Sequence, residues 1–279
     1  MRFRSLLYVP ASSDRFIAKA HERGADAIIL DLEDSVAPSE KEAARAKLPE
    51  AVASVGRNGA VVFVRINAKP DLQMPDAEAA CRAGAFGLYV AKTRSLSRLH
   101  RLAYHLQTLE RERGREKMWF VPLLEDAAAV LDARSFASCQ RVLALAAGGE
   151  DLAASMGGEP LPEVLRLPKL MVHMAAKAEG KLSFGTLTTV ADYSDIEALD
   201  AAAKEARLHG FDGASCVHPS AVAILNAAFS PSPERLDWAR RVIEAAEIAG
   251  SAGKGAISLD GKMIDAPVVA RARALLSQI

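Results

Sequence analysis

Short apolar runs alternate with longer amphipathic segments through most of the chain. The apolar runs occupy residues 5–10, 27–33, 61–67, 87–92, 118–125, 141–148, 181–186 and 213–219. Continuous apolar runs of this length, many of them rich in β-branched or aromatic residues, predict strands that are buried on both faces. The run at 141–148 fits a buried helix equally well, because periodicity alone does not separate the two for a short apolar segment.

Several of the intervening segments carry helix signals. Residues 39–55 begin with Ser39 as an N-cap candidate, and residues 95–114 place leucines at helical spacing before a terminal glycine. Residues 195–210 start with an aspartate and end with a glycine in the same way. A Leu-Pro-Lys sequence at 167–169 lies in another helix-like stretch, which the proline should break or kink.

The alternation of strands and helices predicts parallel βα units. Eight such units in residues 1–229 predict a (β/α)8 TIM barrel. An open doubly wound sheet is the rival fold, but no GxGxxG sequence follows the first strand. Residues 230–279 then predict a C-terminal extension that we expect to pack on a neighbouring subunit. This extension consists of a helix at 230–250, a glycine-rich hinge at 251–256, a hairpin at 255–265 and a helix at 266–279.

The composition of the chain argues against nucleic acid and membranes as binding partners. The chain has 35 Lys plus Arg and 35 Asp plus Glu, so it carries neither the basic patch expected for nucleic acid nor a polybasic membrane anchor. No apolar stretch approaches the roughly 18 residues that a membrane span requires. Three widely spaced cysteines without a CxxC motif indicate free thiols in a reducing, cytoplasmic environment.

Charged residues cluster where the predicted strands end. They are Asp31, Glu33, Asp34, Arg65, Lys92, Glu125, Glu150 and Asp151. In a barrel of this type the carboxyl ends of the strands form the active-site face, so these side chains should meet at one mouth. Buried charges need partners. The acids Asp31, Glu33 and Asp34 therefore either support a site or form salt bridges that close the barrel rim, with Lys92 as their ion-pair partner rather than a Schiff-base lysine.

Glu125 and Asp151 are the candidate metal ligands. They end neighbouring strands, and no His or Cys stands at ligand spacing, which favours Mg²⁺ over zinc. Arg65 could bind a substrate carboxylate through two parallel hydrogen bonds. From the residues alone, the pattern suggests magnesium-assisted chemistry on a 2-oxo or 2-hydroxy acid.

An ordered set of blocks resembles one known family. LLYVPASSDRF, ADAIILDLEDSVAP, VFVRIN, GGEDLAASMG, FDGASCVHPSAV and GKGAISLDGKMIDAPVVARAR resemble the citrate lyase β-subunit-like family of the HpcH/HpaI aldolase superfamily, from about residue 3 to 276. The resemblance implies a TIM barrel, Mg²⁺ and a carbon–carbon lyase that cleaves a 3-hydroxyacyl thioester. The implied products are acetyl-CoA, or acetyl on an acyl-carrier protein, and a 2-oxo acid.

The resemblance also implies residue roles. Glu125 and Asp151 resemble the Mg²⁺ ligands, and Arg65 resembles the arginine that holds the oxo-acid carboxylate. Asp265 resembles an acid/base that reaches in from the neighbouring subunit of a homo-oligomer, a trimer or hexamer. Taken alone, Asp265 is predicted to be the N-cap of the last helix.

A second group of residues stands where related proteins contact coenzyme A. Tyr8, Arg15 and Lys19 match contacts to the nucleotide phosphates. Ser215 and Cys216 match positions where the backbone meets CoA.

The chain departs from the family at positions that shape the substrate pocket. Arg94 follows Lys92 where the family has the Glu of a PKVES-like sequence, and Asp126 replaces the hydroxyl residue of an ALIET-like sequence. Residues 180–195 keep little of the usual pattern. The resemblance therefore leaves open which oxo acid is used. Three other activities also stay open: a metal-dependent aldolase acting on free 2-oxo acids, a carrier-dependent citrate lyase β subunit, and a thioesterase.

Overall fold

The computed structural model describes residues 2–189, 195–251 and 257–277. Within these residues, eight parallel strands form one sheet in the order β7-β6-β5-β4-β3-β2-β1-β8. The strands are β1 Ser5–Pro10, β2 Ala27–Asp31, β3 Val61–Ile66, β4 Gly87–Val90, β5 Trp119–Leu124, β6 Ala144–Ala147, β7 Leu182–Phe184 and β8 Ala214–Cys216. The run at 141–148 is thus a strand, β6, rather than a helix.

The sheet closes on itself between β7 and β8. Phe184 forms a parallel bridge with Gly213, and the Gly185 N–H donates to the Gly213 carbonyl at 2.9 Å. A closed sheet of eight parallel strands with helices between them confirms the (β/α)8 barrel and excludes the open sheet.

Helices follow the strands and cover the outside of the barrel. They are α1 Asp14–Ala20, α2 Lys41–Ala46, α3 Leu48–Val55, α4 Pro70–Arg82, α5 Leu96–Glu112, α6 Ala127–Leu131, α7 Ala133–Ala137, α8 Gly149–Ser155, α9 Pro162–Ala178, α10 Ile196–His209 and α11 Ser220–Phe229. Two of the predicted helices begin with a capping side chain. Ser95 accepts from the Arg98 N–H at the start of α5, and α10 runs from an Asp195 N-cap to Gly210 with φ 97°.

The single helix predicted at 39–55 was wrong, and the break considered at Pro168 does not occur. The helix predicted at 39–55 is divided into a 3₁₀ turn at Pro38–Glu40, α2 and α3, and Ser39 lies inside the turn rather than at the cap. Pro49, in the first turn of α3, has no N–H to continue the helix from α2. By contrast, Pro168 does not break its helix, since α9 is continuous from Pro162 to Ala178.

Alternation along the strands determines which side chains point into the barrel. Leu6, Ile29, Phe63, Tyr89 and Leu123 belong to the apolar cluster that fills the barrel interior. Inward positions recur every second residue on a strand. The next inward positions toward the carboxyl ends are Tyr8, Asp31, Arg65, Ala91 and Glu125. The polarity of the interior therefore rises toward the end where the connecting loops begin.

Residues 230–279 form a second compact unit. It contains α12 Pro233–Ser251, an antiparallel hairpin of β9 Ile257–Leu259 and β10 Lys262–Ile264, and α13 Ala266–Leu276. Ala239, Val242, Ile264, Ala272 and Leu275 form its apolar core. The hinge predicted at 251–256 lies outside the described residues apart from its first position. The packing of this unit on a neighbouring subunit stays a prediction.

No helix within the described ranges has both the length and the apolar character needed to cross a bilayer.

Candidate active site

A cavity of about 370 Å³ lies among the carboxyl ends of the barrel strands. Its lining includes Tyr8, Asp31, Asp34, Arg65, Glu125, Gly148, Glu150, Asp151, Lys169, Thr189 and Ser215. Six of the strand-end charges predicted from the sequence are thus brought together at one mouth. Carboxylates outnumber cations in the lining, which is the charge distribution expected of a site that receives a metal cation.

Asp31 and Arg65 form a two-bond ion pair across neighbouring strands. The two residues are register partners of β2 and β3, which places their side chains side by side on the inner face. Arg65 Nε donates to Asp31 Oδ1 at 2.6 Å, and Arg65 Nη2 donates to Oδ2 at 2.7 Å. Burial alone would raise the pKa of Asp31, but these hydrogen bonds outweigh it and hold the pKa below its usual value.

Some of the hydrogen-bond donors of Arg65, which was predicted to bind a substrate carboxylate, are therefore already used by Asp31. Asp31 occupies the Nε and Nη2 edge, whereas the Nη1 and Nη2 edge has no such bidentate partner among the described residues. Nη1 lies 3.3 Å from Glu33 Oε2 and 3.5 Å from Asp34 Oδ2. The guanidinium sits 5.0 Å from the ring centroid of Tyr8, which fixes its plane. A ligand carboxylate would meet Arg65 end-on.

Lys92 pairs with the remaining acids, as the sequence predicted. Its Nζ lies 2.9 Å from Glu33 Oε1 and 3.4 Å from Asp34 Oδ1. Burial would lower the pKa of Lys92, but the Glu33 carboxylate reverses this and raises it. Lys92 is thus a charged ion-pair partner. Its backbone has φ 49°, an unusual value for a residue with a side chain.

The strained backbone at Lys92 directs its N–H to Glu125. This amide donates to Glu125 Oε2 at 2.6 Å, while Oε1 has no hydrogen-bond partner among the described residues. Glu125 is only 4% exposed. Burial, together with the charges of Glu33 and Asp151, raises the pKa of Glu125 to about 8. The protein itself therefore supplies too little positive charge to keep this carboxylate ionised.

Asp151 is the exposed one of the two candidate metal ligands, Glu125 and Asp151. It lies in the first turn of α8, directly after β6, and its charge acts on both Glu125 and Lys92. The neighbouring Glu150 points elsewhere, because its Oε1 accepts a hydrogen bond from Thr189 Oγ1. Of the two acids in GGEDL, Asp151 is the one available to a ligand shared with Glu125.

Gly148, the first of the two glycines before these acids, is required by a close approach. A Cβ at Gly148 would stand 2.7 Å from Glu125 Cγ and 2.8 Å from Oε1. The absence of a side chain at Gly148 is therefore what lets the end of β6 lie against the Glu125 carboxylate.

Replacing Gly148 with alanine should displace Glu125 without unfolding the barrel. We expect affinity for Mg²⁺ to fall by about tenfold to a hundredfold, the range found when groups that orient a metal ligand are altered. Isothermal titration calorimetry with MgCl₂ measures this directly. Gly250→Ala is the matched control, since a Cβ there meets nothing within 4 Å. Equal affinities for both variants would contradict a role for Glu125 as a ligand.

Comparison with known proteins identifies the family of the chain. The family model described as HpcH/HpaI aldolase/citrate lyase matches residues 4–219. The chain belongs to this family. It is 32% identical to the citrate lyase subunit beta of Escherichia coli K12 over 99% of this chain and 92% of that protein. It is 33% identical to a (3S)-malyl-CoA thioesterase of Cereibacter sphaeroides over 99% of this chain and 94% of that protein.

Solved members of the HpcH/HpaI aldolase/citrate lyase family share the fold along the whole chain. Mycobacterium tuberculosis CitE, solved with magnesium, acetoacetate and coenzyme A, has a TM-score of 0.79 and 31% identity. The match covers 98% of this chain and 97% of that one. Magnesium is also present in structures of the same protein with pyruvate and with acetoacetate alone.

The donors in this cavity fit a magnesium ion. Within the described residues no group of three or more His, Cys, Asp or Glu side chains is arranged to hold a metal. Mg²⁺ does not need such a group, because one or two carboxylates hold it while water and substrate oxygens complete the octahedron. Glu125 and Asp151 supply two carboxylates, and a magnesium ion would provide the positive charge that the buried Glu125 carboxylate lacks.

The residues predicted to contact coenzyme A fall into two groups. Tyr8 and Ser215 line the cavity. Arg15 and Lys19 are exposed on α1 and are not part of the cavity lining. Cys216 faces the opposite side of β8, where it packs between barrel and helices and burial raises its pKa to about 12. Only its backbone is left for a role in binding.

Asp265 is the N-cap of α13 in the C-terminal unit. Its Oδ1 accepts from the Val268 N–H at 3.2 Å, and its other carboxylate oxygen has no hydrogen-bond partner among the described residues. The cap predicted from the sequence is therefore present. The catalytic role implied by the family stays a prediction.

Two departures from the family pattern are partners of each other. Arg94 Nε donates to Asp126 Oδ2, and Asp126 Oδ1 accepts from the Ala129 N–H as the N-cap of α6. A basic and an acidic residue thus replace a Glu and a hydroxyl residue together. Neither Arg94 nor Asp126 lines the cavity, so this exchange leaves the metal pair intact.

Sequence reasoning missed Lys169 as a cavity residue. The cavity residues that were predicted stand at strand ends, whereas Lys169 enters from α9. A signal was present, because Lys169 stands four residues after Leu165 and three before Val172, on the buried stripe of that helix. A lysine on an apolar stripe is unusual and indicates a specific use of its charge.

Proposed function

We propose that this protein is a magnesium-dependent carbon–carbon lyase. It cleaves a 3-hydroxyacyl thioester of the malyl-, citramalyl- or citryl-CoA type to acetyl-CoA and a 2-oxo acid. The observation that carries the proposal is the meeting of Glu125 and Asp151 with the end-on edge of Arg65 in one cavity. A carboxylate pair beside a buried arginine suits a substrate that offers both a metal-binding oxygen and a carboxylate.

The family relationship supports the same assignment. CitE of Mycobacterium tuberculosis binds magnesium together with acetoacetate and coenzyme A or with pyruvate. Coenzyme A is an acyl carrier and pyruvate is a 2-oxo acid, and these correspond to the two halves of the proposed substrate. By analogy, the 2-oxo acid would lie at the cavity of this chain, and Tyr8, Arg15, Lys19 and the backbone at Ser215 and Cys216 would contact the coenzyme.

Glu125 and Asp151 would hold the magnesium ion, and Arg65 would orient the substrate. When bound, the ion polarises the carbonyl of the oxo acid and stabilises the corresponding alkoxide. The Nη1 and Nη2 edge of Arg65 takes the substrate carboxylate, while Asp31 and Tyr8 keep the guanidinium in place. Glu33 and Asp34 form ion pairs with Lys92 and lie beside the guanidinium of Arg65.

Proton transfer at carbon is assigned to Asp265 of a neighbouring copy in a homo-oligomer, a trimer or hexamer. The substrate hydroxyl gives its proton to water, and its O–H electrons form the carbonyl of the 2-oxo acid as the C–C bond breaks. The electrons of that C–C bond pass to the thioester to give an enolate. Asp265, as a carboxylic acid, protonates the enolate carbon to form acetyl-CoA. In the reverse direction its carboxylate removes a methyl proton, which is general-base catalysis.

A thioesterase is the second candidate. It is favoured by the 33% identity to a (3S)-malyl-CoA thioesterase along nearly the whole chain. Water attacking the thioester carbonyl in the same cavity would release free CoA and the intact hydroxy acid. The relationship to citrate lyase subunit beta likewise supports a variant of the lyase in which an acyl-carrier protein replaces CoA.

A panel of thioesters tests the proposal. The purified protein is incubated with Mg²⁺ and with malyl-, citramalyl-, methylmalyl- or citryl-CoA, and the products are separated by chromatography. We expect release of a 2-oxo acid and acetyl- or propionyl-CoA from at least one thioester, lost when EDTA removes the metal. Free CoA without oxo acid would identify a thioesterase. Absence of turnover would favour the carrier-dependent subunit or an aldolase acting on free 2-oxo acids.

A further inference from the structure

Lys169 is a buried lysine that the proposed reaction does not use. Lys169 is only 4% exposed, yet its side chain lines the same cavity as Glu125 and Arg65. The stem of the side chain runs along the buried face of α9, between Leu165 and Val172. Packing therefore holds the stem in place and directs the ammonium group into the polar part of the cavity wall.

Among the residues that the structure describes, the ammonium group of Lys169 has one hydrogen-bond acceptor. Nζ donates to the backbone carbonyl of Thr188, although an ammonium group carries three donors. It forms no ion pair with a carboxylate of the described residues. Burial lowers the pKa of Lys169 to about 8, as expected for a cation removed from water without a contacting counter-ion.

Glu150 does not supply that counter-ion. Its charge raises the pKa of Lys169 by less than burial lowers it, and its Oε1 accepts a hydrogen bond from the Thr189 hydroxyl. Gly149 adds space beside the ammonium, because a Cβ there would lie 3.4 Å from Lys169 Nζ. The arrangement leaves a buried positive charge next to an open part of the cavity.

We propose that Lys169 is a specificity-determining residue whose ammonium group binds a carboxylate on the variable substituent of the oxo acid. The proposal rests on the lyase function proposed above. In that substrate class, one carboxylate is common to all members and is assigned to Arg65. The remaining substituent is hydrogen in malyl, methyl in citramalyl and carboxymethyl in citryl thioesters.

Of these three substituents, only the carboxymethyl group carries a carboxylate that can pair with the buried ammonium group of Lys169. Hydrogen or methyl would leave the buried ammonium with neither a counter-charge nor an additional acceptor, which is costly in a low-dielectric wall. A carboxylate would supply both. The substrate class is therefore a citryl-type thioester, whose oxo-acid product has two carboxylates.

Binding of the product halves tests this without turnover. Oxaloacetate and pyruvate differ by one carboxylate, and calorimetry of the Mg²⁺-loaded protein gives a Kd for each. We expect the wild type to bind oxaloacetate at least about tenfold more tightly, since a site built around a polar group discriminates against ligands that lack its partner. Lys169→Met should reduce that ratio to near one while leaving pyruvate affinity within about threefold. Lys177→Met, an exposed lysine on the same helix, should keep the ratio.

The outcomes separate this inference from the lyase proposal. A wild type that binds both acids equally, or prefers pyruvate, overturns the role of Lys169 whether or not any variant folds. An equal ratio in wild type and Lys169→Met also overturns it, and points to a structural role through Thr188. Selective oxaloacetate binding that depends on Lys169 would support its binding role. If no thioester were turned over in the same protein, the proposed lyase activity alone would be contradicted.

Discussion

Glu125→Gln should abolish magnesium binding and activity while making the metal-free protein more stable. The activity loss should reach roughly a thousandfold or more, because metal polarisation contributes several kcal/mol to the transition state. The gain in stability has a separate cause. A glutamate in an unfolded chain releases its proton near pH 4.5, whereas folded Glu125 keeps it until about pH 8.

The sign of the pH effect follows from that difference. Between these two pH values the folded chain binds the extra proton, so its stability falls as the pH rises through the window. Glutamine has no proton to lose, so the variant should be favoured by about 3 kcal/mol at pH 7 in EDTA and by little below pH 4.5.

Thermal unfolding with EDTA and with excess Mg²⁺, across pH 4 to 9, measures both effects. The wild type should gain stability on adding Mg²⁺, and Glu125→Gln should not. Glu163→Gln provides the same chemical change at an exposed position on α9 and should behave as the wild type. A Mg²⁺-dependent rise in the unfolding temperature of Glu125→Gln would contradict its assignment as a ligand.

The barrel and the place of its site were predictable because strand ends in this fold carry the chemistry. Asp31, Arg65 and Glu125 each stand two residues beyond an inward apolar residue, so the alternation of the strand alone directs them into the mouth. No tertiary information is needed for that step. Their convergence is a consequence of the parallel register.

The partner of Arg65 could not be predicted from the sequence. Arg65 was predicted to bind substrate through two parallel bonds, but Asp31 takes one of its two bidentate edges. Which edge remains depends on side-chain geometry, which the sequence does not encode locally. Lys169 was missed for a different reason, since it comes from a helix face that normally contributes only packing.

Proline effects also depended on tertiary context. Pro49 lies in the first turn of α3, and the predicted helix divides just before it. Pro168 carries the same local penalty, yet α9 continues because Leu165, Val172 and Ala176 anchor it to the barrel on both sides of the proline. Local rules therefore predicted a tendency, and the buried contacts determined the outcome.

Asp265→Asn should remove activity and leave the stability of the C-terminal unit unchanged. Asp265 caps α13 through Oδ1, and asparagine caps helices about as well as aspartate. The general acid is lost in this variant, so kcat should fall by about a hundredfold to ten-thousandfold. Asp265→Ala should lose both functions, with a further cost of about 1 kcal/mol for the cap. Turnover assays and chemical unfolding of the three proteins separate the two roles.

Mixing two inactive chains tests whether Asp265 serves a neighbouring copy. Asp265→Asn keeps an intact metal site, and Glu125→Gln keeps an intact Asp265. If a site takes its metal pair from one subunit and its acid from the next, random mixing at equal amounts should restore about a quarter of the sites in a closed ring with heterologous interfaces. Native mass spectrometry must establish that the oligomers are mixed. Mixed oligomers with no recovered activity would place both groups in the same subunit or remove Asp265 from catalysis.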